Sequence, residues 1–180
     1  NQRIDDFTRN TLSYLNEEKE ILFSDMWVPP TRVSMNGQHV LVLVRGYDYL
    51  EDLQSLRGYI QEVNPVLIGV DGGADALLDE GYEPDIIIGD MDSVSDEALQ
   101  CGAQIIVHTY EDGRSPGLRR IEKLGLQADR WALPSTSEDL ALLLAYHSGA
   151  DLIVAVGTHF NLVEQLDKGR EGMSSTFLVR

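Results

Sequence analysis

Three aspartates, Asp71, Asp90 and Asp92, are the residues of this 180-residue chain best placed to do chemistry. Asp71 opens Asp71-Gly72-Gly73-Ala74, and the other two lie in Gly89-Asp90-Met91-Asp92-Ser93. Each group ends an apolar run, Val66-Leu67-Ile68-Gly69-Val70 in one case and Ile86-Ile87-Ile88 in the other. Asp90 and Asp92, one residue apart, suit a hard divalent cation such as magnesium. That ion needs only one or two protein carboxylates beside water and substrate phosphates. Gly72, Gly73 and Gly89 would let backbone amides approach a phosphate closely. A strand-end Asp-Gly also serves as an ordinary turn or helix cap, and Asp92 and Ser93 have the chemistry to cap a following helix.

Positioning these groups falls to the apolar runs. A continuous Val/Ile/Leu run reads as a strand buried on both faces, the habit of parallel sheets. Strands are expected at 39–44, 66–70, 85–88, 104–107, 130–133 and 151–156. Helices are expected between them at 47–63, 74–80, 95–100, 118–124 and 137–146, with a last one starting at 161–166. Ser137 is the expected N-cap of the fifth helix, and Gly149 lies beyond its end. This alternation predicts an α/β fold, a mostly parallel doubly wound sheet with helices on both faces. Open sheets of this kind bind ligands at their C-terminal edge, where all three aspartates would fall. A helix over 4–23, with apolar positions at Ile4, Phe7, Leu12, Leu15 and Leu22, precedes the sheet and has a face suited to a partner subunit. Trp27-Val28-Pro29-Pro30 ends it, since consecutive prolines cannot continue a helix. Residues 1–36 are thus expected as a helical extension and linker, and 37–180 as the α/β domain.

The bulk composition narrows the partners. Apolar residues make up 43% of the chain, as in a folded globular domain. A formal charge of −16 repels nucleic acid and anionic membranes, and a phosphate ligand would need a metal between like charges. The single cysteine, Cys101, excludes an intramolecular disulfide and fits a reducing compartment. No apolar run approaches the roughly 20 residues that span a bilayer. The chain starts at Asn1 and stops mid-pattern at Phe177-Leu178-Val179-Arg180, which reads as a piece of a longer protein.

Further ligand candidates follow the strand ends. Arg45-Gly46 ends the first strand, and Thr158 and His159 follow the last. Arg170, near Lys168, suits phosphate geometry. Arg119, Arg120 and Lys123 read as a solvated helix face.

Asp71-Gly72-Gly73-Ala74, Pro84-Asp85 and Gly89-Asp90-Met91-Asp92-Ser93 together resemble the thiamin pyrophosphokinase catalytic domain. In that family the pattern is Asp-Gly-Gly-Ala, then Pro-Asp, then Gly-Asp-x-Asp-Ser. The resemblance implies magnesium held by Asp90 and Asp92, and transfer of pyrophosphate from ATP to thiamin. A third family motif, Lys-Asp-x-Thr-Asp, has its counterpart in Ser135-Thr136-Ser137-Glu138-Asp139; Asp139 is kept, while the lysine and first aspartate are replaced by Ser135 and Thr136. The family's later Gly-Gly-Arg-x-Asp-His is replaced by Gly157-Thr158-His159-Phe160-Asn161-Leu162, and the segment from Gly113 to Arg130 looks like an added helix.

Over nearly its whole length the chain is similar to the SteA-like branch of the same superfamily, the cytokinetic ring proteins of actinobacteria. The residues that carry this include Asp112-Gly113-Arg114, Leu166-Asp167-Lys168-Gly169-Arg170 and Gly172-Met173-Ser174-Ser175-Thr176-Phe177. That resemblance implies a cytoplasmic domain at the division site, anchored to the inner face of the membrane through a segment beyond this chain, with a division-machinery partner. The expectation is therefore a homodimeric domain binding ATP, ADP or another phosphorylated ligand with magnesium, without turnover. Arg45, Asp71, Gly72, Gly73, Ser93, Thr136, Thr158, His159 and Arg170 would contact the ligand. The alternative is an active pyrophosphokinase using Asp71, Asp90, Asp92 and Asp139, and a third reading is a structural domain whose aspartates are relics.

Overall fold

The computed structural model describes residues 26–158. The expected helices at 4–23 and 161–166, and with them His159 and Arg170, lie outside the described residues. Twelve elements run in the order β1 (His39–Val44), α1 (Tyr49–Ser55), α2 (Arg57–Val63), β2 (Val66–Val70), α3 (Gly73–Asp79), β3 (Ile86–Gly89), α4 (Asp96–Leu99), β4 (Gln104–Thr109), α5 (Pro116–Lys123), β5 (Asp129–Ala132), α6 (Ser137–His147) and β6 (Leu152–Val156).

All six strands pair in parallel, in the order β5-β4-β3-β2-β1-β6. The predicted α/β sheet is therefore present, and every strand of it is parallel. From β1 to β5 the sheet grows in one direction, as right-handed crossovers with helices on a single face require. The connection through α6 then returns across the sheet to place β6 beside β1.

Side chains alternate between the two faces of a strand. One face carries Leu41, Leu43 and Leu67 against Leu53 of α1, Ile60 of α2 and Leu77 of α3. It continues through Ile87, Ile105 and Val107 against Ala98, Leu99 and Ile121. Val40, Val42, Ile68, Ile86, Ile88 and Ile106, fully buried, fall on the opposite face, where α6 packs against β1, β2, β3 and β6. Residues 139–145 of α6 are all buried, which accounts for a helix that is apolar nearly all round.

Two expectations are corrected. The helix expected over 47–63 is two helices, because Leu56 leaves helical geometry (φ −89°, ψ 3°) and Gly58, a poor helix former, lies two residues on. The N-cap of α6 is Thr136 rather than Ser137. Its Oγ1 accepts from the Asp139 N–H at 3.2 Å, and the Asp139 carboxylate accepts from the Thr136 N–H at 3.4 Å, a reciprocal capping box.

Candidate phosphate and metal site

Because every strand is parallel, the segments leaving β1, β2, β3 and β6 emerge on one edge from contiguous positions in the sheet. Arg45 follows β1, Asp71-Gly72-Gly73 follows β2, Asp90 to Ser93 follows β3, and Thr158 lies just beyond β6. This edge is where open α/β sheets hold their ligands.

Asp71 sits at its centre. Its backbone is left-handed (φ 47°), which aspartate tolerates better than most residues, and its N–H donates to the Ile88 carbonyl of the neighbouring strand at 3.0 Å. The turn aims its carboxylate across to the β3 loop, where Oδ1 accepts from the Met91 N–H at 2.9 Å. Met91 is itself left-handed (φ 69°), a costly conformation for a long side chain and a sign that surrounding contacts hold the loop in place. Gly89 makes room for the approach: at φ 150°, a Cβ on it would overlap the Asp71 carboxylate. Ser93 ties the loops together a second time, its Oγ accepting from the Gly72 N–H at 3.3 Å.

The Asp90 carboxylate lies close to that of Asp71, whose pKa is pushed up from 3.8 to about 7. Burial is the largest cause and repulsion from Asp90 the next, with the Met91 N–H pulling the other way. Two carboxylates held this close, one largely buried, form a donor set that a hard cation relieves. The residues present therefore fit magnesium. Among the described residues no group of three or more His, Cys, Asp or Glu side chains is arranged to hold a metal. An ion here would draw its remaining oxygens from water and phosphate.

Sequence spacing pairs Asp90 with Asp92, whereas the fold pairs the Asp90 carboxylate with Asp71. Asp92 contributes its backbone, donating its N–H to Asp90 Oδ1 at 3.0 Å, and its side chain is exposed. The Arg45 side chain lies over Gly72, which brings a guanidinium to the glycine turn. Gly157, before Thr158, packs closely against the Val44 carbonyl and Gly46. Thr136 and Asp139 stand at the start of α6, engaged with each other in the capping box, and Asp139 is buried. Asp85 of the Pro-Asp motif is at the other end of β3. Its carboxylate accepts from the Leu67 N–H at 2.8 Å and clamps β2 to β3 away from the site.

Arg120 is the residue the sequence misses. It is half-buried rather than on a solvated face; Nη1 donates to the Met91 carbonyl at 2.7 Å, and Nη2 lies 2.6 Å from Asp96 Oδ1. No motif marks it, since the contact depends on how α5 docks against the β3 loop.

Residues 59–114 match the family model described as "Thiamin pyrophosphokinase, catalytic domain". The matched segment holds both aspartate turns, so the similarity to that family falls where the candidate site is built. A protein of Methanocaldococcus jannaschii described as 6-hydroxymethyl-7,8-dihydropterin pyrophosphokinase is 26% identical, over 71% of this chain and 61% of its own. A protein of the same description from Methanothermobacter thermautotrophicus is 30% identical, over 61% and 55%. The chain thus spans about three-fifths of the curated relatives it matches. The crystal structure of thiamine pyrophosphokinase from Bacillus subtilis is 26% identical, with a TM-score of 0.44, covering 74% of this chain and 53% of that one.

Proposed function

We propose that this chain carries a magnesium-dependent pyrophosphoryl-transfer site, which moves the terminal diphosphate of ATP onto the hydroxyl of a nitrogen heterocycle of the thiamin or hydroxymethylpterin kind. The observation that carries this is the Asp71–Asp90 carboxylate pair at the ligand edge of a parallel sheet, next to a glycine turn over which the Arg45 side chain lies. The family match over both turns and the description of the two relatives supply the acceptor class. In the reaction the acceptor oxygen attacks the β-phosphorus of ATP. A new P–O bond forms, the bridge to the α-phosphate breaks, AMP leaves, and the hydroxyl proton passes to water. Catalysis of this type is mostly positioning and charge stabilisation. A bound magnesium ion would supply the neutralising charge; Asp71 and Asp90 would hold it, and Arg45 would face the phosphates.

The test is AMP release from ATP and magnesium with thiamin or 6-hydroxymethyl-7,8-dihydropterin as acceptor, compared with the Asp90→Ala chain. Release that depends on acceptor and on Asp90 supports the reading. Its absence with both acceptors overturns it.

A second reading is favoured by the replaced third motif, in which Thr136 and Asp139 cap α6 and Ser135 stands in place of a lysine. In it the site binds nucleotide without turnover, as the cytoplasmic part of a SteA-like division protein. That protein would be homodimeric, would be anchored at the membrane through a further segment, and would bind a division-machinery partner. A rise in melting temperature with ATP or ADP plus magnesium, lost in Asp90→Ala and unaccompanied by AMP release, distinguishes it.

A further inference from the structure

Residues 26–158 contain eight arginines and lysines, and four of them, Arg114, Arg119, Arg120 and Lys123, line one cavity of about 410 Å³. Ser115 and Pro116, at the start of α5, complete its wall. In a chain of net charge −16 such a concentration of cations locally opposes the long-range repulsion of phosphate. Its volume lies within the roughly 300–1,000 Å³ of small-ligand sites.

Two of the four cations are already engaged. Arg114 pairs with Asp112, and Arg120 with Asp96 and the Met91 carbonyl. Arg119 and Lys123 have no carboxylate within ion-pair distance among the described residues. The cavity therefore keeps two uncommitted positive charges, one of them a planar fork suited to phosphate. Its position is fixed by the candidate metal loop. Gly117 lies so close to the Asp90 carbonyl that a Cβ would overlap it, and Arg120 holds the next carbonyl.

We propose that this basic cavity on α5 is a phosphate-chain site, taking the di- or triphosphate group of a small anion through Arg119 and Lys123, separate from the Asp71–Asp90 pair. Binding there needs no metal, because the cavity supplies the cations itself. It also needs no turnover, so it stands independently of the pyrophosphokinase reading.

Calorimetric titration of the chain with inorganic tripolyphosphate, in EDTA and at low and moderate salt, tests the site. Saturable binding that weakens with salt is expected. The Arg119→Glu/Lys123→Glu chain should lose about tenfold or more in affinity, as removal of charge-assisted contacts does. Arg119→Lys should keep most of it, and Asp90→Asn should bind as the unmodified chain does. No metal-free binding overturns the proposal, as does unchanged binding by a double variant that melts normally, or loss of binding in Asp90→Asn. Displacement of tripolyphosphate by ATP, but not by AMP, identifies a nucleotide tail as the source of the phosphates. Failure of ATP to displace it identifies the free anion, and both outcomes support the site.

Discussion

At the scale of single residues, the site depends on how closely the β2 and β3 turns approach. Gly89→Ala would place a methyl group in the Asp71 carboxylate and force a side chain into a φ of 150°. A loss of about 2–4 kcal/mol is expected from the overlap and strain together, read as a lower urea midpoint, with loss of any magnesium–nucleotide stabilisation. The raised Asp71 pKa has its own signature. In the unfolded chain this carboxyl releases its proton near 3.8, and in the folded chain near 7. The folded state therefore holds the proton more tightly, and stability falls as pH rises through that window. In EDTA the urea midpoint should drop between these values, and Asp71→Asn should flatten the drop. An unchanged profile in Asp71→Asn would refute the assignment. The aspartate turns were legible as candidates because each follows a buried apolar run. Their pairing was not, because it rests on the left-handed turn at Asp71, which carries the carboxylate away from its sequence neighbours towards Asp90.

At the scale of elements, β2 and β3 could be read from Val66-Leu67-Ile68-Gly69-Val70 and Ile86-Ile87-Ile88, whose uniform burial is what a central parallel strand imposes. Helix ends were harder. Thr136 and Ser137 are both good caps, and the choice between them is made by Asp139, which sits three residues after Thr136 and reciprocates. Residues 30–32, ahead of β1, are tied to the sheet by a buried side chain that no pattern announces. Gln104 accepts from the Arg32 N–H and donates to the Pro30 carbonyl and to Asp129 Oδ2, all at 2.8 Å. Gln104→Leu would keep the apolar volume while leaving these partners unpaired, at a cost of about 2–3 kcal/mol in thermal or urea unfolding. A change within a few tenths of a kcal/mol would mean that water replaces the clasp.

At the scale of the whole molecule, the acidic balance sets two opposite responses to salt. Self-repulsion at −16 destabilises the compact state, so the melting temperature should rise as moderate sodium chloride screens it. Polyphosphate binding at the α5 cavity should weaken over the same range. A melting temperature that falls with salt would show that attractive pairs outweigh the net charge. The single return crossover through α6 has a kinetic consequence. Strands β1 to β5 each join a neighbour close in sequence, whereas β6 joins β1 through His39↔Leu152, more than a hundred residues apart. Closing so long a loop carries an entropic penalty that local βαβ pairing avoids. Among the described residues it pairs with β1 alone, and Leu152 and Ala155 are exposed. Strand β6 should therefore dock last in folding and open first in the native state. Its amides should exchange with deuterium ahead of those of β2 and β3, which makes the outermost wall of the ligand edge the part of the protein that breathes.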